Sequence, residues 1–295
     1  MNQSYPRAEA SDMLDTFLVQ SPMSRSERRI MHLTDIQVDA YELFVVSEPP
    51  SIRLKSVSST EMEEVDFRVR GILCQSYLPP MSRVNEEYKA GFLRQTFHLT
   101  ACKSDSPFFN YFPIVDQVVD LFRRGFPTCT FAAPTIPRFE SRSCILTYNP
   151  YFSKRKDTPN SESVPFGPGV DPKGVLEKYQ PQNMHHTSDN RVRYFQRTVD
   201  EDNCASLKDM NPIVFQNGDI VEVRFSFVAH TTKTYGHYQV CMTARALVLL
   251  HDKFRQASSH NGGNGRSVVH HALALPLKRN DYSDEEDREN KKMRT

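Results

Sequence analysis

A chain of 295 residues buries a sizeable core without cross-links, so its size calls for neither a disulfide framework nor a structural metal. Its 37 Lys and Arg against 36 Asp and Glu leave a formal net charge of +1, which excludes a global charge excess as the means of attracting nucleic acid or acidic lipid. Hydrophobic residues at 38% and a mean hydropathy of -0.56 describe a folded part diluted by polar segments.

The longest uninterrupted apolar stretch, residues 246–250, is far short of the roughly 20 residues that cross a bilayer. Residues 1–10 lack the apolar stretch of a secretory signal. Six cysteines, Cys74, Cys102, Cys129, Cys144, Cys204 and Cys241, fall partly within apolar runs and read as reduced core cysteine of an intracellular protein.

Residues 1–34 show no sustained periodicity beyond a short apolar patch at Met13, Leu14, Phe17 and Leu18. They read as a mobile arm with one helical turn. Residues 35–47 are rich in strand formers and stop at Pro49 and Pro50. The run 65–77 alternates Phe67, Val69, Gly71 and Leu73 against Arg68, Arg70 and Ile72. It predicts a long strand in which Gly71 marks a bend or bulge. Residues 90–102 are a third candidate strand. Over 114–124, Ile114, Val118, Leu121 and Phe122 share one helical face, and Gly125 and Pro127 end the helix. Short strands follow at 128–132 and 143–148. Residues 149–190 carry six prolines and the basic run Lys154, Arg155 and Lys156 with few large apolar residues, and read as a polar insert rather than core.

Order returns at 191–198 and is strongest at the end of the domain. Val221, Val223, Phe225 and Phe227 alternate with Glu222, Arg224 and Ser226. After a polar loop with Gly236, Val240, Met242, Ala244, Ala246 and Val248 alternate inward against Gln239, Cys241, Thr243 and Arg245. Two such runs predict a β-hairpin. Seven or eight strands with one good helix exclude a parallel α/β fold. The fold class expected is mainly β: an OB-like barrel with one helix and a long polar insert, or an open β-sandwich, spanning 35–250. Residues 251–295 read as a disordered charged tail.

No catalytic or metal signature stands out. His185-His186 and His270-His271 lack Cys or carboxylate partners at ligand spacing and read as solvated loop histidines. There is no G-x-S-x-G elbow, and Gly167-Pro168-Gly169 and Gly262-Gly263 lack the Lys-Ser/Thr of a phosphate loop. The reading is therefore non-enzymatic binding with no cofactor and no metal, an enzyme of unknown class being kept as a lesser alternative. More suggestive is the interleaving of aromatic and basic residues. Arg68, Arg70, Arg224, Lys233, Tyr235 and Arg245 fall on predicted polar strand faces and the hairpin loop, with Arg191, Arg193, Tyr194, Phe195 and Arg197 as a further group. Single-stranded nucleic acid is held by such a set, bases stacking on rings while cations neutralise phosphates. The competing reading is a protein-interaction scaffold, since half-buried strands of any β protein carry charges outward.

The segment NGDIVEVRFSFVAHTTKTYGHYQVCMTARALVLLHD, residues 217–252, has a G-x-x-V-x-V strand, a loop and a strand ending V-x-L. It resembles the last hairpin of OB-fold single-strand-binding proteins of phage and replication type, and is similar to uncharacterised proteins of mushroom-forming fungi. The resemblance implies an OB fold and a single-stranded ligand.

In the tail, Lys278 and Arg279 are separated by an acidic spacer from Lys291, Lys292 and Arg294. Two readings stand side by side: a bipartite nuclear localisation signal for an import receptor, or a charge-balanced solvated tail.

Overall fold

The computed structural model describes residues 4–19, 30–84, 90–199 and 205–254. All of them lie inside the unit Met1–Asn261. In chain order, the strands of three residues or more are β1 (Tyr41–Ser47), β2 (Pro50–Ser56), β3 (Phe67–Tyr77), β4 (Arg94–Thr100), β5 (Thr130–Ala132), β6 (Ile145–Pro150), β7 (Arg193–Val199), β8 (Ala205–Asp209), β9 (Ile220–Thr231) and β10 (His237–His251). The helices are α1 (Arg7–Val19), α2 (Tyr111–Gly125) and the five-residue α3 (Val175–Tyr179).

The class is mainly β, as the alternation predicts. One mixed sheet runs in the order β8-β7-β10-β6-β4-β3-β9-β2-β1, with β5 joining β10 and the two-residue strand Met31–His32 joining β3 from the side. Because β9 also pairs with β10, strands β3, β4, β6, β10 and β9 close into a ring. Four of its five strand pairings are antiparallel ladders. The fifth, β6 against β10, is parallel and rests on the single pair Tyr148 and Thr243.

Strand alternation fills the ring: Phe67, Val69 and Leu73 of β3, Phe97 and Leu99 of β4, Ile145 of β6, Val223, Phe225 and Phe227 of β9, and Val240, Met242 and Ala244 of β10 join one buried cluster. The β9–β10 register shifts between Arg224 and Phe225, which pair with Ala246 and Ala244, so Arg245 is an extra residue on β10. Beyond this bulge Leu247 and Leu249 take the inward positions, while Ala246 and Val248 pack with Phe195 in a second cluster. Simple alternation puts Ala246 and Val248 inward; the inserted residue moves them to the other face.

Four sequence expectations are corrected. Residues 7–19 form a helix of 13 residues rather than one turn, burying Ala10, Ser11 and Leu14. Pro50 does not end the strand region, because Ser47 pairs with Pro50 and the chain returns as β2. The expected polar insert contributes Tyr151, Phe152, Val170, Leu176 and Met184 to the main core, and is core in part. Gly71 marks no bulge. It pairs regularly with Val221, and the register shift falls between Leu73 and Gln75.

Gly71 is required by close approach. A Cβ there would lie 2.9 Å from both Leu99 Cβ and Phe108 Cε2, nearer than the roughly 3.5–4.0 Å at which carbons pack. Gly71→Ala is expected to cost about 1–3 kcal/mol through overpacking. Urea unfolding checks this: the midpoint falls with the slope unchanged, whereas a midpoint at or above wild type contradicts the packing argument.

Candidate nucleic-acid interface

The structure brings Arg68, Arg70 and Arg224 together, but inside the protein. Arg68 and Arg70 on β3 pair in register with Arg224 and Glu222 on β9. All four side chains are buried. The Glu222 carboxylate lies 2.9 Å from Arg70 Nη2, 3.1 Å from Arg224 Nε and 3.7 Å from Arg68 Nη1. Arg70 also donates through Nη1 to the Phe17 carbonyl in the last turn of α1, at 2.6 Å. A guanidinium there meets the negative end of the helix dipole. Burial alone would push the Glu222 carboxyl up, yet Arg70, Arg224 and Arg68 hold it below the usual carboxylate range.

Arg245, turned out of the ladder by its bulge, joins a second internal cluster. Its Nη2 lies 2.6 Å from Glu64 Oε1 and its Nη1 3.1 Å from Asp189 Oδ1. Arg53 of β2 reaches the same two carboxylates, forking onto both Asp189 oxygens at 3.1 Å. Asp189 sits in the turn Ser188–Asn190, closed by a Thr187/Asn190 capping box. The square of two arginines and two carboxylates therefore ties the residue 149–190 segment to β2 and β10. Arg68, Arg70, Arg224 and Arg245, expected on an exposed binding face, instead satisfy internal carboxylates. Other elements cover much of that face, burying Arg68, Arg70 and Arg224 and leaving Arg245, Glu64 and Asp189 partly exposed. His185 and His186 are corrected likewise: both are buried, His185 Nε2 lying 2.7 Å from Thr158 Oγ1 and His186 Nδ1 2.8 Å from the Tyr151 carbonyl.

Lys233 and Tyr235 are where the sequence places them. Both are exposed in the β9–β10 loop at residues 232–236, Tyr235 completely. Behind this loop Thr130 N–H donates to the Gly236 carbonyl at 2.8 Å, and Phe131 of β5 stacks on Tyr238 at 5.2 Å. The predicted tail signal, Lys278, Arg279, Lys291, Lys292 and Arg294, lies outside the described residues, as do His270, His271 and Cys204. The other five cysteines are free thiols.

The ring also gathers aromatic and basic residues that no sequence pattern singles out, on a face where Thr96, His98 and Leu146 are buried and the rings beside them half-buried. With Phe97, Leu99 and Ile145 inward, the alternation turns Arg94, Thr96 and His98 of β4 and Leu146 and Tyr148 of β6 to the opposite face. Thr96 pairs with Tyr148 on one side and with Tyr77 on the other, so the three rows run together. The Arg94 guanidinium lies over the Tyr148 ring, 4.5 Å from its centre, and the Tyr148 hydroxyl is 2.9 Å from Cys241 Sγ. Arg94, Tyr77 and Tyr148 are half-buried, while Phe92, two residues before Arg94 in the β3–β4 connection, is 63% exposed. His98 is pushed down to about 4 by burial and then by Arg94, so it is neutral at pH 7. Partly exposed rings with a guanidinium beside them are the kind of group on which bases stack and phosphates are neutralised. Among the described residues no cluster of metal-ligating side chains occurs. No helix among them is long and apolar enough to cross a membrane.

No family model matches the chain, and no curated protein sequence matches it. Among solved structures it is similar to gp2.5, a single-stranded DNA binding protein encoded by bacteriophage T7, at 11% identity and a TM-score of 0.32, over 69% of this chain and 100% of that one.

The buried charges have measurable consequences. Glu222→Ala leaves three guanidinium groups without their common partner, and a loss of about 3–5 kcal/mol is expected in denaturant unfolding; Glu222→Ala at wild-type stability contradicts the cluster. His32, His98 and His230 are each held down to about 4, by burial first and by nearby arginines, against an ordinary value of 6.5. A histidine depressed in the folded state binds its proton earlier in the unfolded chain, so its contribution is complete above 6.5 and is lost as the pH falls toward 4. Unfolding free energy measured at pH 7.5 and pH 5 should therefore drop by several kcal/mol (about 1.4 kcal/mol per pKa unit); equal values would show these histidines to be solvated.

Proposed function

We propose that this protein binds single-stranded nucleic acid without catalysing a reaction on it, using the outward face of β4 and β6 and the loops that flank it. The ring is read as an OB-like barrel, since the five strands close in the sequence β3-β4-β6-β10-β9 with β6 and β10 parallel. In that fold the second and third strands, the first connection and the last hairpin loop form the oligonucleotide surface. Here those elements are β4, β6, residues 90–93 of the β3–β4 connection and the residue 232–236 loop. The observation that carries the reading is the Arg94 guanidinium lying over the Tyr148 ring on this surface, between exposed Phe92 and the loop bearing Tyr235 and Lys233.

Fluorescence anisotropy of a labelled oligothymidylate at low ionic strength tests the proposal. Binding is expected, weakening as salt rises because neutralised phosphates release counterions. Phe92→Ala and Tyr235→Ala should each weaken it by about 1–3 kcal/mol, the worth of one base–aromatic stack. Absence of binding to the wild-type chain rejects the reading and favours the interaction scaffold, for which a nuclease-insensitive partner in a pull-down is the expected result.

The tail is proposed to bind an import receptor through Lys278, Arg279, Lys291, Lys292 and Arg294. A fluorescent fusion in which all five are alanine should lose nuclear enrichment; equal nuclear-to-cytoplasmic ratios return the tail to a solvated role.

A further inference from the structure

Lys154, Arg155 and Lys156 follow β6 by a few residues, and all three are exposed. They do not sit on a loose loop. Ser153 and Lys154 pair antiparallel with His185 and Met184, and the turn Arg155–Asp157 follows at once. Arg155 N–H donates to the Asn183 carbonyl at 2.9 Å and its Nε to the Gln182 carbonyl at 3.1 Å. The Thr158 hydroxyl donates to the Lys154 carbonyl at 3.0 Å and is held from behind by buried His185 at 2.7 Å. On either side Tyr151, Phe152 and Met184 are set in the core. The turn that carries the three cations is thus fixed by buried groups, and among the described residues Lys154 and Lys156 pair with no carboxylate.

Its position relative to the ring is fixed as well. The Tyr151 N–H donates to the Leu93 carbonyl at 3.0 Å, joining the start of this segment to the residue between Phe92 and Arg94. A Cβ on Gly91 would lie 3.8 Å from Met184 Cε, and Met184 is the register partner of Lys154. The basic turn therefore adjoins the end of the outward face at which Phe92 and Arg94 stand. At the other end lie Lys233 and Tyr235: Cys241 beneath Tyr148 stands five positions after Gly236, about 17 Å of extended strand.

We infer that Lys154, Arg155 and Lys156 form a second phosphate-binding station, so that the ligand is an extended single strand running from the residue 232–236 loop across Tyr148, Arg94 and Phe92 onto the segment after β6. This inference rests on the nucleic-acid reading above and adds to it the path and minimum length of the ligand. A short oligomer occupies the strand face alone, whereas a long one reaches the basic turn and releases further counterions there.

The experiment compares oligothymidylates of about 4 and about 16 nucleotides, the limits of single OB-type site sizes, on the full chain and on the triple variant Lys154→Ala, Arg155→Ala, Lys156→Ala. The wild-type chain is expected to bind the long oligomer with the steeper dependence on salt. In the triple variant that slope should fall by about 2, at roughly 0.7 for each phosphate no longer neutralised, with affinity for the short oligomer unchanged. Lys154→Glu with Lys156→Glu should weaken long-oligomer binding further, and far-ultraviolet circular dichroism checks that both variants are folded. If the triple variant binds the long oligomer with wild-type affinity and slope, the station does not exist although the face still binds. If both lengths weaken equally, the run acts only by general attraction and the proposed path is wrong. Failure of the wild-type chain to bind either length rejects the underlying reading itself.

Discussion

The β9–β10 hairpin is the constraint on which the rest of the architecture depends. Its twelve register pairs occupy one whole edge of β10 and leave the other to be divided. Three strands share that edge: β5 at residues 237–239, β6 at Thr243 and β7 at residues 246–249. The far edge of β9 is divided in turn between β3 at residues 220–225 and β2 at 228–230. A strand pair this long has more edge than one partner covers, so the ring closes at its middle and its ends recruit β1, β2, β5, β7 and β8. The Arg245 bulge makes this geometry consistent. By adding one residue to β10 it increases the local twist and lets Ala244 and Leu247 both face inward on either side of it.

The same bulge explains where the charge goes. A strand that curves around a ring has a second face, and here that face is covered over much of its area. Arg68, Arg70, Arg224 and Glu222 lie on it beneath the end of α1, and Arg53 and Arg245 lie on it beneath the segment 57–66 and the turn at residues 188–190, which supply Glu64 and Asp189. Burying a guanidinium without partners is costly, so every covered arginine comes with carboxylates aimed at it. The members of each cluster come from elements distant in sequence, so their hydrogen bonds link those elements to one another.

What was legible in the sequence follows from this. The hairpin, β3 and α2 were readable because each repeats one period over many residues: Val221, Val223, Phe225 and Phe227 on β9, or Ile114, Val118, Leu121 and Phe122 on α2, although the fold buries Val115 and Val119 more fully than Ile114 and Leu121. Helix α1 was not, because its buried residues are only Ala10, Ser11 and Leu14, and it is docked by single bonds such as the Tyr5 hydroxyl to the Gly218 carbonyl at 2.8 Å. Strand β2 was hidden by Pro50, which sits at the first residue of the strand, where a proline is tolerated. Of the candidate site, Lys233 and Tyr235 were legible as loop residues between two alternating strands. Arg94 and Tyr148 were not, since what joins them is the pairing of β4 with β6, and no local pattern announces a partner strand so far along the chain. The buried arginines misled for a related reason: alternation tells which residues leave the core but not what lies over them.

A net charge of +1 looks like an argument against a polyanionic ligand, and the geometry shows why it is a weak one. Exposed charges more than about 8–10 Å apart are largely screened at physiological salt. On the reading proposed here, a ligand on the β4–β6 face would respond to Arg94, to the lysine of the hairpin loop and to the basic turn after β6, and hardly at all to carboxylates elsewhere on the molecule. The field at such a face is short-ranged, so it supplies little long-distance steering and a modest share of affinity. Under the proposed function the remainder would come from direct stacking on Phe92, Tyr148 and Tyr235. With the Arg94 guanidinium over the Tyr148 ring, a cation and an aromatic face stand at one position, so under the proposed function a single place on the strand face would answer both requirements.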